Sequence, residues 1–253
     1  MKTRAGPDPD FPYLAASERI SFPPPEQWRG DMVAVGGNLS PGMLLSAYEQ
    51  GVFPWYNPED PLIWQSPDPR FVIFPGGLHV SASMRKLLRQ GVFSLSFDRD
   101  FAGVIAGAAA MERPGQGATW ITADIVEGYR ELHRLGWAHS AEAWQDGILA
   151  GGCYGIRLGR VFVGESMFAR VSNASKAAFL SLAAGLFADG LEFIDCQIHT
   201  NHLESLGGVE MGRGEYLERL GRLMEERRGL SPAARDLLDR RGNWSLQAGV
   251  FGA

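Results

Sequence analysis

Two short segments each place a carboxylate among apolar neighbours: Phe162-Val163-Gly164-Glu165-Ser166-Met167-Phe168 and Phe193-Ile194-Asp195-Cys196-Gln197. Burying an unpaired carboxylate is costly, so Glu165 and Asp195 each require partners or a reaction to serve. Alternate residues of a strand share a face, which predicts Asp195 and Gln197 side by side. A carboxylate beside an amide in apolar surroundings suits orienting a nucleophilic amine or relaying its proton. The same pair also suits two hydrogen-bonded core residues that anchor loops, and spacing does not choose between these readings. Two other signals are weaker. His199-Thr200-Asn201-His202 holds two of the five histidines with no further ligand cluster, so hydrogen bonding around the Asp195 loop is expected rather than a metal site. Gly164-Glu165-Ser166-Met167-Phe168 begins like a nucleophile elbow but lacks its closing glycine, and Ser166 is not read as a nucleophile.

The elements that must carry these residues follow from hydrophobic periodicity. Segments 139–144, 148–156 and 161–168 read as strands, and the turns at 145–147 and 157–160 are short enough to force an antiparallel meander. A helix over 174–188 follows, with Phe179, Leu182, Ala183 and Leu186 inward and Gly190 as its stop, and then a strand over 193–198. Meander, helix and strand is the order of the acyltransferase core found in GNAT-type enzymes. Those enzymes hold coenzyme A on a glycine-rich turn before the helix. Here that stretch, Ala169-Arg170-Val171-Ser172-Asn173-Ala174-Ser175-Lys176, has no glycine, and Asn173 or Ser175 is expected to cap the helix instead. An acyl donor would therefore be held differently from coenzyme A.

Upstream, 81–90 and 123–135 read as amphipathic helices. The chain to about Pro69 is rich in proline and aromatics, which block regular ladders. It contains one clear helix, with Ser40-Pro41 as cap and first position and Gly51 as its end. The expected fold class is α+β: a small loop-rich N-terminal α/β domain over 1–70 and a GNAT-like catalytic domain over 71–253.

With 45% hydrophobic and 21% charged residues the composition is that of an ordinary soluble globular protein. No apolar run approaches spanning length, and the first residues lack the apolar core of a signal peptide. Cys153 and Cys196 form no CxxC pair and are expected as free thiols in a reducing cytoplasm. The net charge of 24 − 29 = −5 argues against indiscriminate nucleic-acid binding but leaves room for a local basic patch. Arg85, Lys86 and Arg89 are candidates for one, although they equally suit a solvated helix face. The tail arginines, Arg227, Arg228, Arg235, Arg240 and Arg241, are interleaved with acids and read as exposed helix surface.

Five motifs in order carry a family resemblance: Gly51-Val52-Phe53-Pro54-Trp55, Trp64-Gln65-Ser66-Pro67-Asp68-Pro69-Arg70, Thr119-Trp120-Ile121-Thr122, Gly164 to Phe168 with Asn173-Ala174-Ser175-Lys176, and Ile194-Asp195-Cys196-Gln197. From about residue 20 to 223 the chain resembles bacterial leucyl/phenylalanyl-tRNA–protein transferases. The resemblance implies transfer of leucine or phenylalanine from aminoacyl-tRNA to the N-terminal arginine or lysine of an acceptor protein, marking it for the N-degron pathway. It implies no metal or organic cofactor, a cytoplasmic location and a monomer. It assigns Asp195 and Gln197 to the acceptor amine, either activating it or only positioning it. It gives Trp55 and Trp120 to the terminal adenosine and Phe162, Met167, Phe179, Leu182 and Ile194 to the aminoacyl pocket. It sets Glu165 beside the aminoacyl group; given a tRNA substrate, Arg85, Lys86 and Arg89 are the candidates for contacts to its backbone. On composition alone the apolar residues would be plain core. Cys153 departs from the family's methionine, and a smaller residue there would enlarge the pocket. The alternatives are a coenzyme A-dependent N-acyltransferase and a non-catalytic tRNA- or degron-binding module.

Overall fold

The computed structural model describes residues 5–111 and 119–230. Its first third holds β1 (Met32–Val35), α1 (Pro41–Glu49), β2 (Phe53–Pro54) and β3 (Ile63–Gln65). Then come β4 (Arg70–Ile73), α2 (Ala82–Arg89), β5 (Ser94–Phe97), α3 (Phe101–Ala109) and α4 (Ala123–Arg134). The remainder is β6 (Ala138–Gln145), β7 (Ile148–Leu158), β8 (Val161–Ala169), α5 (Ala174–Ala188), β9 (Phe193–Gln197), α6 (Asn201–Ser205), β10 (Val209–Met211) and α7 (Arg213–Gly229).

The class is mixed α+β. β1, β3 and β2 form a small antiparallel sheet, and the other strands form a seven-stranded sheet in the order β10-β4-β9-β8-β7-β6-β5. The β6-β7-β8 meander is antiparallel, as the short turns require. β9 returns parallel to β8 because α5 carries the chain back across the sheet. Alternate strand residues enter different cores. Phe193 and Val163 belong to one, with α1, α3, α4 and α7 residues; Ile194 and Phe162 belong to the other, with α2 and α5 residues. Both faces are therefore covered, which accounts for the near-continuous burial of β7 and β9.

The helix starts show how side-chain oxygens satisfy the first free N–H groups. Ser81 accepts from Met84 N, Thr122 from Ile125 N and Thr200 from Leu203 N. Two expected caps differ. Ser40 precedes α1, but its hydroxyl accepts from Leu14 N and donates to Asn38 Oδ1, tying the N-terminal segment down instead. Asn173 precedes α5 in the left-handed region, φ 70°, and makes no side-chain cap; its short polar side chain tolerates that conformation and turns the chain out of β8. Arg227 corrects the reading of the tail as exposed: it is buried, pairs with Glu49 at 3.1 Å and lies 5.0 Å above the Trp137 ring. Arg228 is exposed, and Arg235, Arg240 and Arg241 lie outside the described residues. Among the described residues no helix is long and apolar enough to cross a membrane.

Candidate active site

β8 and β9 pair only at Val161↔Phe193, Phe162↔Ile194 and Val163↔Asp195. Past that point they share no ladder, and residues 164–167 and 196–198 line one cavity of about 510 Å³. A register shift sharpens the opening. Tyr154 pairs with Ser166 while Gly155 pairs with Gly164, so Glu165 is the extra residue of a bulge. The bulge needs glycine at 155, where a Cβ would lie 2.2 Å from the Val163 carbonyl oxygen. A bulge re-aims the side chain it carries, and here it delivers Glu165 to the cavity wall.

The Glu165 carboxylate receives two phenols. Tyr48 OH from α1 donates to Oε1 at 2.7 Å and Tyr129 OH from α4 donates to Oε2 at 2.9 Å. The two hydroxyl oxygens also touch each other, closing a ring of three residues. Gln197 Nε2 approaches Oε1 at 3.5 Å. Burial pushes the Glu165 carboxyl up to about 7, although both tyrosine hydrogen bonds pull the other way. Burial, followed by the nearby Glu165 charge, raises both phenols well above their ordinary range.

Asp195 sits behind this wall, fully buried and outside the cavity lining. Arg70 Nε donates to Oδ1 at 2.8 Å and its Nη2 to Oδ2 at 2.6 Å, a two-point ion pair. Tyr216 OH from α7 donates to Oδ2 at 2.8 Å, and Gln197 N donates to Oδ1 at 3.0 Å. Arg70 also reaches the Gly51 carbonyl oxygen at 3.3 Å and lies between the rings of Phe53 and Tyr216, at 4.9 and 4.4 Å. Gly51 tolerates this crowding: it has φ +76°, and a Cβ there would meet Leu217 of α7 at 2.5 Å. One buried charge pair thus binds β4, β9, α7 and the loop leading to Trp55.

Simple strand alternation expected Asp195 and Gln197 on one face. The backbone departs from it because Gln197 ends β9 with φ 59°. Its N–H turns back onto Asp195 while its amide lines the cavity. Trp55, Trp120, Phe162, Glu165, Met167 and Phe179 line the same cavity. Leu182 and Ile194 do not; they are buried in the same core cluster as Phe162 and Phe179. Arg85, Lys86 and Arg89 are exposed on α2 and also lie outside the lining. Cys153 and Cys196, both buried free thiols, complete the apolar wall. Burial raises both thiols far above their ordinary range, so they act as small apolar groups.

His199 and His202, which follow β9, hydrogen-bond to neighbours on α6 and β8. His199 Nε2 meets Glu204 Oε2 at 3.1 Å, and His202 Nε2 meets Met167 Sδ at 3.2 Å. Burial, aided by Lys176, holds His202 below its ordinary value. Sequence reasoning missed Tyr48, Tyr129, Arg70 and Tyr216. The available signal was that two carboxylates in apolar strands demand donors, and Arg70 closes one of the quoted motifs.

A profile of the leucyl/phenylalanyl-tRNA protein transferases matches residues 72–221, and one for their N-terminal domain matches residues 37–68. A leucyl/phenylalanyl-tRNA–protein transferase of Desulfatibacillum aliphaticivorans is 47% identical over 239 residues, 94% of this chain and 98% of its own. One from Anaeromyxobacter dehalogenans strain 2CP-C is 47% identical with the same coverage. One from Aromatoleum aromaticum is 52% identical over 209 residues, 81% of this chain and 87% of its own. With both profiles matched in order and identity near one half along most of its length, the chain belongs to the leucyl/phenylalanyl-tRNA protein transferase family.

Proposed function

We infer that this protein takes leucine or phenylalanine from aminoacyl-tRNA and joins it by a peptide bond to the N-terminal residue of a protein. Family membership supports the reaction. The observation that carries its location is the cavity between β8 and β9, which gathers an apolar wall, aromatic surfaces and a carboxylate–amide pair in one enclosure. An aminoacyl ester is already activated, so the amine needs orientation, loss of a proton and little else.

In this reading Phe162, Met167, Phe179 and Cys153 receive the aminoacyl side chain, with Leu182 and Ile194 supporting them from the same core cluster. Trp55 and Trp120 stack on the terminal adenosine, since aromatic faces hold any base with useful energy. The Gln197 amide orients the incoming amine. Asp195 acts through it, fixing the Gln197 main chain from inside the core. Arg85, Lys86 and Arg89 lie in a single helix, where phosphate contacts would position the acceptor stem.

The acceptor carries N-terminal arginine or lysine, and the product is a substrate of the N-degron pathway in the cytoplasm. The protein acts as a monomer of two parts, 1–70 and 71–253, the second GNAT-like; meander, helix and parallel strand support that assignment. The glycine-free turn before α5 argues against coenzyme A as donor. The test combines purified protein with labelled phenylalanyl-tRNA or leucyl-tRNA and peptides differing only in residue one. Labelling of arginine- and lysine-initiated peptides is expected, with none from acetyl-coenzyme A. Equal labelling of an alanine-initiated peptide would refute the acceptor assignment.

A further inference from the structure

We propose that Glu165 is the proton acceptor of the transfer reaction, taking one hydrogen from the acceptor's N-terminal ammonium into the ring it forms with Tyr48 and Tyr129. The proposal rests on the aminoacyl-transfer reading above. Asp195, the other carboxylate of the region, has both oxygens occupied by Arg70, Tyr216 and Gln197 N and lies outside the lining. Among the described residues that line the cavity, Glu165 is the one carboxylate, and a bulge puts it there.

Counting hydrogens gives the ring its chemistry. Three oxygen–oxygen contacts join Tyr48, Tyr129 and Glu165, but the two phenols supply only two hydrogens. An ionised Glu165 accepts both and leaves the tyrosine–tyrosine contact without a hydrogen. A protonated Glu165 supplies the third and completes the ring. The ring thus has a place for one more proton, and burial, outweighing the two tyrosine hydrogen bonds that favour the charged form, makes that proton available near neutrality, at about 7. The charged and titratable groups around Glu165 are Tyr48 from α1, Tyr129 from α4, Asp195 from β9 and Arg70 from β4, with His199 and His202 in the cavity wall. Tyr154 of β7 stacks edge-on against Tyr129.

The ammonium gives one hydrogen to Glu165 and becomes a neutral amine. Its lone pair attacks the ester carbonyl, forming the C–N bond. The bond from carbon to the ribose oxygen then breaks, that oxygen takes a second hydrogen from nitrogen, and the third hydrogen remains on the new amide. Glu165 returns its proton to solvent.

The experiment measures single-turnover transfer from saturating phenylalanyl-tRNA to an arginine-initiated peptide between pH 5.5 and 9. The wild-type rate should rise through an inflection near the Glu165 value of about 7. Glu165→Gln should lose about 10²–10⁴-fold at neutral pH, keep its affinity for phenylalanyl-tRNA, and replace the inflection by a rise that continues to the pKa of the acceptor amine. Tyr129→Phe removes a donor that favours the ionised form, so its inflection should move upward by roughly one unit. This variant tests the proposal even if Glu165→Gln fails to fold. His202→Gln should keep the inflection, whatever it does to the rate. An inflection that survives in Glu165→Gln, stays fixed in Tyr129→Phe, or vanishes in His202→Gln would overturn the assignment. Absence of transfer by the wild-type protein itself would overturn the underlying reading as well.

Discussion

Arg70 holds Asp195 at two points, 2.8 and 2.6 Å, across 125 residues of sequence and with neither side chain exposed to solvent. The pair sits where β4, β9 and α7 meet, and Asp195 spends a further acceptor position on the Gln197 main chain. Burial alone would disfavour the Arg70 charge, but Asp195 and its hydrogen bonds more than offset that and leave the guanidinium above its ordinary range. The consequence is a rigid backing for the cavity wall rather than a free base facing it.

Asp195→Asn should therefore act first on stability. It removes one charge of a buried pair and leaves Arg70 uncompensated, a change that costs about 3–5 kcal/mol. Urea unfolding of the variant should show this loss, and transfer per folded molecule should fall because Gln197 is less firmly held. Unchanged stability combined with a loss of transfer beyond about 10²-fold would instead assign Asp195 a direct chemical role.

Trp55 and Trp120 are half-buried at the cavity, unlike Trp64, which is wholly enclosed. Replacing either by alanine should weaken binding of aminoacyl-tRNA by about 1–3 kcal/mol, the usual worth of a base stacked on an aromatic ring. The melting temperature should change little. Titration of each variant with phenylalanyl-tRNA, alongside its thermal melt, separates the two effects; a large drop in melting temperature with unchanged affinity would return these rings to the core.

Much of the scaffold was legible because it depends on local pattern. α5 spans Ala174–Ala188 as expected, and the short turns forced the meander. α3 escaped: Phe101–Ala109 is apolar on nearly every side, so no helical period stands out. β1 to β3 are short and lie among prolines, where pairing is decided by tertiary contact. The site was half legible for the same reason. Glu165 and Asp195 stand out as acids in apolar strands. Their donors lie 117, 36, 125 and 21 residues away and read locally as ordinary aromatic or basic side chains. The bulge at Glu165 and the left-handed backbone of Gln197 are also invisible to an alternating pattern, although they decide which side chains reach the cavity.

If the cavity receives the aminoacyl side chain as proposed, Cys153 bounds the space available to it. It is buried in the cavity wall and pairs across the sheet with Met167, another lining residue. Cys153→Met adds volume to this wall and should disfavour phenylalanine relative to leucine. Differences of a methylene or so in an apolar pocket are worth about 1–3 kcal/mol, so the ratio of kcat/KM for the two donors should shift by roughly tenfold or more. Competition between phenylalanyl-tRNA and leucyl-tRNA measures the ratio directly. An unchanged ratio would show that Cys153 does not bound the side-chain site.

Glu165 also predicts a pH dependence of stability that is independent of any reaction. Its carboxyl is raised from 4.5 to about 7 in the folded protein, chiefly by burial. A folded state with the higher pKa binds the proton more tightly than the unfolded chain. The group's contribution is therefore fully present below about pH 4.5 and lost as pH rises through about 7. Glu165→Gln mimics the protonated form at every pH. The variant should therefore gain on the wild type as pH rises from 5 to 8, by on the order of 2–3 kcal/mol. At about 2–4 °C per kcal/mol for a chain of this size, the change in the melting-temperature difference is readily measured. Taking the difference between the two proteins at each pH cancels the titration of every group they share. A constant difference from pH 5 to 8 would mean that Glu165 ionises in the fold as easily as in the unfolded chain, and the hydrogen count of the tyrosine ring would then lose its consequence.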